Sequence, residues 1–145
     1  MYDHILVPTD GSKGTAASID HASAIARQND AIVHVLYVID KRLYRAASKD
    51  TKEEVIASLE EEGEHAIGEA VTQIEDNGAE VVTERRRGIP YKSILEYAEA
   101  EPIDMIVMGT HGRTGRDRIA TLGSVTERVV KNADVPVLVV DIDGE

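Results

Sequence analysis

The sequence predicts an open, doubly wound α/β domain built on a parallel sheet, and three observations carry that expectation. Apolar runs at residues 5–7, 31–38, 105–108 and 137–140, with a weaker one at 80–83, are nearly continuous rather than alternating. Strands covered on both faces read this way. The stretches between them have helical periodicity, and alternating strands and helices with right-handed crossovers place helices on both faces of one sheet. Phe, Trp and Cys are absent and only five Tyr occur, so aliphatic side chains must fill the interior in thin layers.

Taken in order, the first strand ends in Val7, Pro8, Thr9, Asp10, Gly11 and Ser12. A helix follows, with Ala17, His21, Ala24 and Ile25 on one face, and Asn29 with Asp30 interrupts it before the second strand. Residues 41–50 have the least periodicity and are the candidate for a mobile loop. The longest helix is announced by Thr51 and Glu54 in capping-box spacing; its apolar stripe is Val55, Leu59, Ala66, Ile67, Ala70, Val71 and Ile74. Asn77 and Gly78 stop it, and Glu60, Glu61 and Glu62 form its solvated face. Pro90 opens the third helix, where Ile94, Leu95 and Ala98 share a face. A last helix is expected over residues 124–131.

A chain of 145 residues suits one domain, residues 1–145, and can bury roughly two thirds of its unfolded surface. Met1 leads directly into an apolar strand without a signal-peptide pattern, and no apolar run approaches membrane-spanning length, so a cytoplasmic protein is expected. The net charge of -11, from 27 acidic and 16 basic residues, disfavours nucleic acid and anionic membranes as partners. It fits a halophilic cytoplasm or simply an acidic protein. Without cysteine there is no disulfide framework, thiolate metal site or thiol nucleophile.

Two loops face the crevice that such a sheet opens at the carboxyl ends of its strands. One is the Pro8, Thr9, Asp10 segment; the other runs Met108, Gly109, Thr110, His111, Gly112, Arg113, Thr114, Gly115 and leads to Gly123, Ser124, Val125. Glycines at 109, 112 and 123 let backbone amides approach an anion, and a helix starting near Ser124 adds its free amides and dipole. Equally, Ser124 could be only an N-cap boxed with Glu127, and the glycines only turn residues. Asp10 could accept hydrogen bonds from ribose or base, or form an Asx turn. His111 lacks a fixed partner and reads as a turn residue. Arg85, Arg86 and Arg87 fall beyond the third strand as a solvated or ion-paired run, leaving Lys41, Arg42 and Arg45 as better candidates for reaching phosphates. GxxxxGK[ST] and GxGxxG are both missing, which excludes a P-loop ATPase and leaves dinucleotide binding unsupported.

The segments HILVPTDGS, LYVID, GIP, VMGTHGRTG, GSVTERVV and VPVLVV resemble the universal stress protein family, in order, over nearly the whole chain. The resemblance implies ATP binding, with Pro8, Thr9, Asp10 and Val38 on the adenine and ribose side and Met108 and Gly109 beneath the nucleoside. Gly112, Gly123, Ser124 and Val125 would surround the phosphates, with Mg or Mn bridging them. ATP-binding members space their glycines as two residues, then nine; here ten residues separate Gly112 from Gly123, the extra one expected between Arg116 and Thr121. The strand order expected is 3-2-1-4-5, which leaves the last strand at an edge and predicts a homodimer through it. The function implied is that of a nucleotide-binding stress-response or signalling module, with no catalytic residue and no protein metal site identified. The rivals are a slow ATPase or autokinase in the same pocket and a nucleotide-free interaction module. A phosphoacceptor receiver and a flavodoxin lack their acidic cluster and their hydroxyl-rich loop with aromatic flanks, respectively.

Overall fold

The computed structural model describes residues 1–12, 14–110 and 122–141. In chain order these form β1 (His4–Thr9), α1 (Thr15–Asn29), β2 (Ile32–Asp40), a 3-10 turn (Lys41–Leu43), α2 (Lys49–Asp76), β3 (Glu80–Gly88), α3 (Pro90–Ala100), β4 (Met105–Gly109), α4 (Ser124–Asn132) and β5 (Val137–Val140). The strands pair in parallel in the order β3-β2-β1-β4-β5, as the sequence predicted.

Alternation within the central strands divides the core. Ile5, Val7, Val33, Val35, Met105 and Val107 pack under α1 and α2, against Ile19, Ala22, Ala26, Ala70 and Ile74. Leu6, Leu36, Val38, Ile106 and Met108 point the other way, toward Ile94 and Tyr97 of α3 and Val129 of α4. Both faces are therefore apolar, which is why these strands read as continuous runs.

Several local expectations change. On α1 the buried residues are Ser18, Ile19, Ala22, Ser23 and Ala26, while His21 is exposed and Ala17, Ala24 and Ile25 are only half-buried. Small side chains, serines included, occupy the closest approach to the sheet, so the conspicuous apolar stripe is offset from the buried one. The N-cap of α2 is Ser48 rather than Thr51; its side chain accepts from the Thr51 amide at 3.4 Å. Lys49 and Asp50 are thus helical, and residues 41–43, within the segment of least periodicity, form a 3-10 turn. Asn77 caps the far end and Gly78, with φ of 84°, leaves the helix there as expected.

The third strand extends to Gly88, so Arg85, Arg86 and Arg87 lie inside it, not beyond it. A charge run carries no strand signal of its own, but β3 is an edge strand, where charged side chains discourage pairing with other chains. Each arginine has an acidic partner: Arg85 pairs with Glu64 at 3.7 Å, Arg86 with Glu84 at 3.2 Å, and Arg87 with Glu60. Glu60 is accordingly half-buried, whereas Glu61 and Glu62 are exposed as predicted.

Candidate functional site

The carboxyl ends of β1, β2 and β4 and the start of α4 enclose a cavity of about 320 Å³, within the roughly 300–1,000 Å³ common for small-molecule sites. Its lining includes Pro8, Thr9, Asp10, Val38, Met108, Gly109, Gly123, Ser124 and Val125. These are nine of the ten residues singled out from the sequence; Gly112 lies outside the described residues, as does His111. Parallel strands bring the loops of β1, β2 and β4 side by side even though they are far apart in sequence.

The end of β1 is organised by its own side chains. Thr9 Oγ1 accepts from the Gly11 amide at 3.0 Å and lies 2.8 Å from Thr15 Oγ1. Gly11 has φ of 88°, a conformation that costs glycine little. Asp10 Oδ1 accepts from the Ser12 amide at 2.9 Å, so the Asx turn weighed for this residue is present, at a position that also lines the cavity.

Across the cavity, the Gly123 amide donates to the Thr110 carbonyl at 2.7 Å, and the Thr126 hydroxyl donates to the Gly109 carbonyl at 2.8 Å. These bonds dock α4 on the end of β4. The N-cap is Gly123, not Ser124, and no side chain caps the helix. The Ser124–Glu127 capping box is thus not formed: Ser124 is already the first helical residue, and the Glu127 amide donates to the Gly123 carbonyl. The first-turn amides of α4 have no partner within the helix and border the cavity. Gly123 has φ of -61°, so its lack of a side chain there does not serve a positive φ.

Sequence reasoning missed much of the wall after β2. Tyr37, Ile39, Asp40, Arg42 and Leu43 line the cavity there, with Leu59 of α2 and Pro90 and Ile94 of α3. Arg42, one of the basic residues weighed for reaching phosphates, is the only cationic residue among the described lining residues. Lys41 and Arg45 are not in the wall. Arg42 donates from Nε and Nη2 to the two oxygens of Asp40 at 2.9 and 2.7 Å, while Asp40 Oδ1 also accepts from the Arg42 amide at 3.0 Å and so caps the 3-10 turn. Burial pushes the Asp40 carboxyl up, but hydrogen bonds and charge from Arg42 more than offset this and hold it below the ordinary value. The same bonds raise the Arg42 guanidinium. An acid two residues before an arginine at a strand end was the available signal.

Among the described residues no three His, Cys, Asp or Glu side chains gather as a metal site, and no helix is long and apolar enough to cross a membrane.

Residues 1–141 match the model of the universal stress protein family. Universal stress protein MJ0531 of Methanocaldococcus jannaschii is 43% identical over 141 residues, covering 97% of this chain and 82% of that protein. The solved structure of MJ0577, from the same organism, superposes with a TM-score of 0.88 at 37% identity, covering 97% and 96% of the two chains. The universal stress protein from Archaeoglobus fulgidus in complex with dAMP superposes with a TM-score of 0.70 at 25% identity, covering 95% and 97%. With a family model spanning nearly its whole length and relatives of this similarity, the chain belongs to the universal stress protein family.

Proposed function

We propose that this protein binds an adenine nucleotide, ATP, in the cavity at the carboxyl edge of the sheet, and that it acts as a binding or signalling module. The observation that carries this reading is the gathering of nine sequence-selected residues, from three strand ends and one helix start, around one cavity. The dAMP complex of the Archaeoglobus fulgidus relative supports it.

Pro8, Thr9, Asp10 and Val38 hold the adenine and ribose, and Met108 and Gly109 lie beneath the nucleoside. Gly112, Gly123, Ser124 and Val125 surround the phosphates, which meet the amide end of α4 where the helix dipole favours negative charge. Mg or Mn would accompany the triphosphate and offset its charge, since the described residues gather no metal site of their own. Fast hydrolysis needs a base held beside the phosphates; the aspartates of the described cavity wall are Asp10, which accepts from the Ser12 amide, and Asp40, which is paired with Arg42. A homodimer through the edge strand β5 belongs to the same proposal.

Mass spectrometry of ligand released from natively purified protein tests the reading. ATP or another adenine nucleotide is expected. No retained ligand, together with no calorimetric heat on adding ATP and Mg or Mn, would favour a nucleotide-free interaction module. Product formation well above one turnover would instead point to a slow ATPase or autokinase.

A further inference from the structure

On the α3 side of the sheet, away from the cavity lining, three titratable side chains form a continuous hydrogen-bonded chain. His4 Nδ1 lies 3.0 Å from His34 Nε2, and His34 Nδ1 lies 2.7 Å from Tyr97 Oη. The rings meet edge to face, and His34 and Tyr97 are each only 5% exposed. The chain joins β1 and β2 to α3, whose preceding turns supply Ile94 and Pro90 to the cavity wall.

Neutral imidazole has one N–H, so the chain can run in either of two directions. In the one that pairs every proton, Tyr97 O–H donates to His34 Nδ1 and His34 Nε2–H donates to His4 Nδ1. This direction uses the Tyr97 proton, for which the described residues hold no other acceptor. A proton added to His34 makes Nδ1 a donor, so Tyr97 must accept and its own O–H is left unpaired in a buried site. Protonating both rings sets N–H against N–H across 3.0 Å.

We propose that the His4–His34–Tyr97 chain is a proton-operated tether that holds α3 on the sheet when neutral and loosens it when the histidines take up protons. The surrounding charges oppose one another. Arg86 of β3 stands 5.1 Å over the Tyr97 ring and disfavours added positive charge, whereas Glu101, just past α3, favours it at His34. Glu84 of β3 acts on Tyr97, and Asp104, before β4, accepts from the His4 and Asp3 amides. Burial, then His4, outweighs Glu101 and holds the His34 imidazolium below the ordinary 6.5. The sign follows: the tether's contribution is complete above about pH 6.5 and is lost as pH falls through the lower folded value. The inference does not depend on what fills the cavity.

Histidine NMR on the full chain between pH 8 and 5 tests it. His34 should take up its proton below the ordinary 6.5. Amide protection factors of α3 should fall about tenfold per pH unit where opening takes up one proton, while those of α1, on the other face, hold. His4→Gln keeps an acceptor for His34 Nε2–H and removes the N–H conflict, so it should blunt the loss. The tether is overturned if His34 titrates at or above the ordinary 6.5, if α3 protection is unchanged across the range, or if His4→Gln leaves the acid loss undiminished. The first two outcomes need only the native chain.

Discussion

Gly63 of α2 lies directly against the ring of Tyr37, whose hydroxyl donates to the Leu59 carbonyl at 3.0 Å. A Cβ at position 63 would overlap the ring edge. Alanine gains about 1 kcal/mol of helix propensity over glycine, but overpacking a buried contact costs about 1–3 kcal/mol, and the overlap here is severe. Gly63→Ala should therefore lower stability by about 1–2 kcal/mol in urea unfolding. An equal or more stable variant would show that Tyr37 moves aside at little cost.

Acid should loosen the turn after β2. The folded-state carboxyl of Asp40 lies below its ordinary 3.8, so its support for the 3-10 turn is complete above that value and disappears as pH falls below it. Amide exchange at Arg42 should rise there. Asp40→Asn should show the faster exchange already at neutral pH, and an Arg42 amide indifferent to both changes would dismiss the pair as a structural element.

Binding of ATP should raise stability by about 2.7 kcal/mol at a hundredfold excess over its dissociation constant, a midpoint rise on the order of 5 to 10 °C. Gly123→Val should remove the rise by filling phosphate space at the start of α4. Asp10→Ala should also weaken adenosine, because in the proposed site Asp10 contacts the nucleoside and its carboxylate accepts from the Ser12 amide, which organises the loop. Normal adenosine affinity in Asp10→Ala would move that residue out of the nucleoside site.

Salt should matter, since a net charge of -11 repels itself and the repulsion is screened by ions. Thermal midpoints in dilute buffer and in molar salt should differ, with the higher value in salt. Equal midpoints would remove the halophilic expectation.

The edge position of β5 predicts a dimer, because an apolar edge strand with unpaired amides is a template for another strand. A second copy is the symmetric cover. Light scattering at micromolar concentration should give the mass of two chains, and the mass of one would refute the pairing.

The sequence by itself determined the α/β alternation and the burial of the central strands on both faces, since continuous aliphatic runs at βα spacing fit a parallel sheet covered on both sides, and it implied the sheet order through the family resemblance. It also determined most of the cavity's β1, β4 and α4 walls, because Thr9, Asp10, Gly109, Gly123 and Ser124 are local signals at strand and helix ends. Tertiary structure alone decided which residues meet across elements. The Asp40–Arg42 wall joins the site because β2 lies beside β1, and the His4–His34–Tyr97 chain exists because pairing of β1 with β2 brings His4 to His34, 30 positions away, and packing of α3 on the sheet brings Tyr97 to His34, 63 positions away. Arg85, Arg86 and Arg87 became strand because β2 offers a ladder along the whole of β3 and α2 supplies Glu60 and Glu64. Local pattern records which face a residue turns to the core; the partner waiting there belongs to another part of the chain.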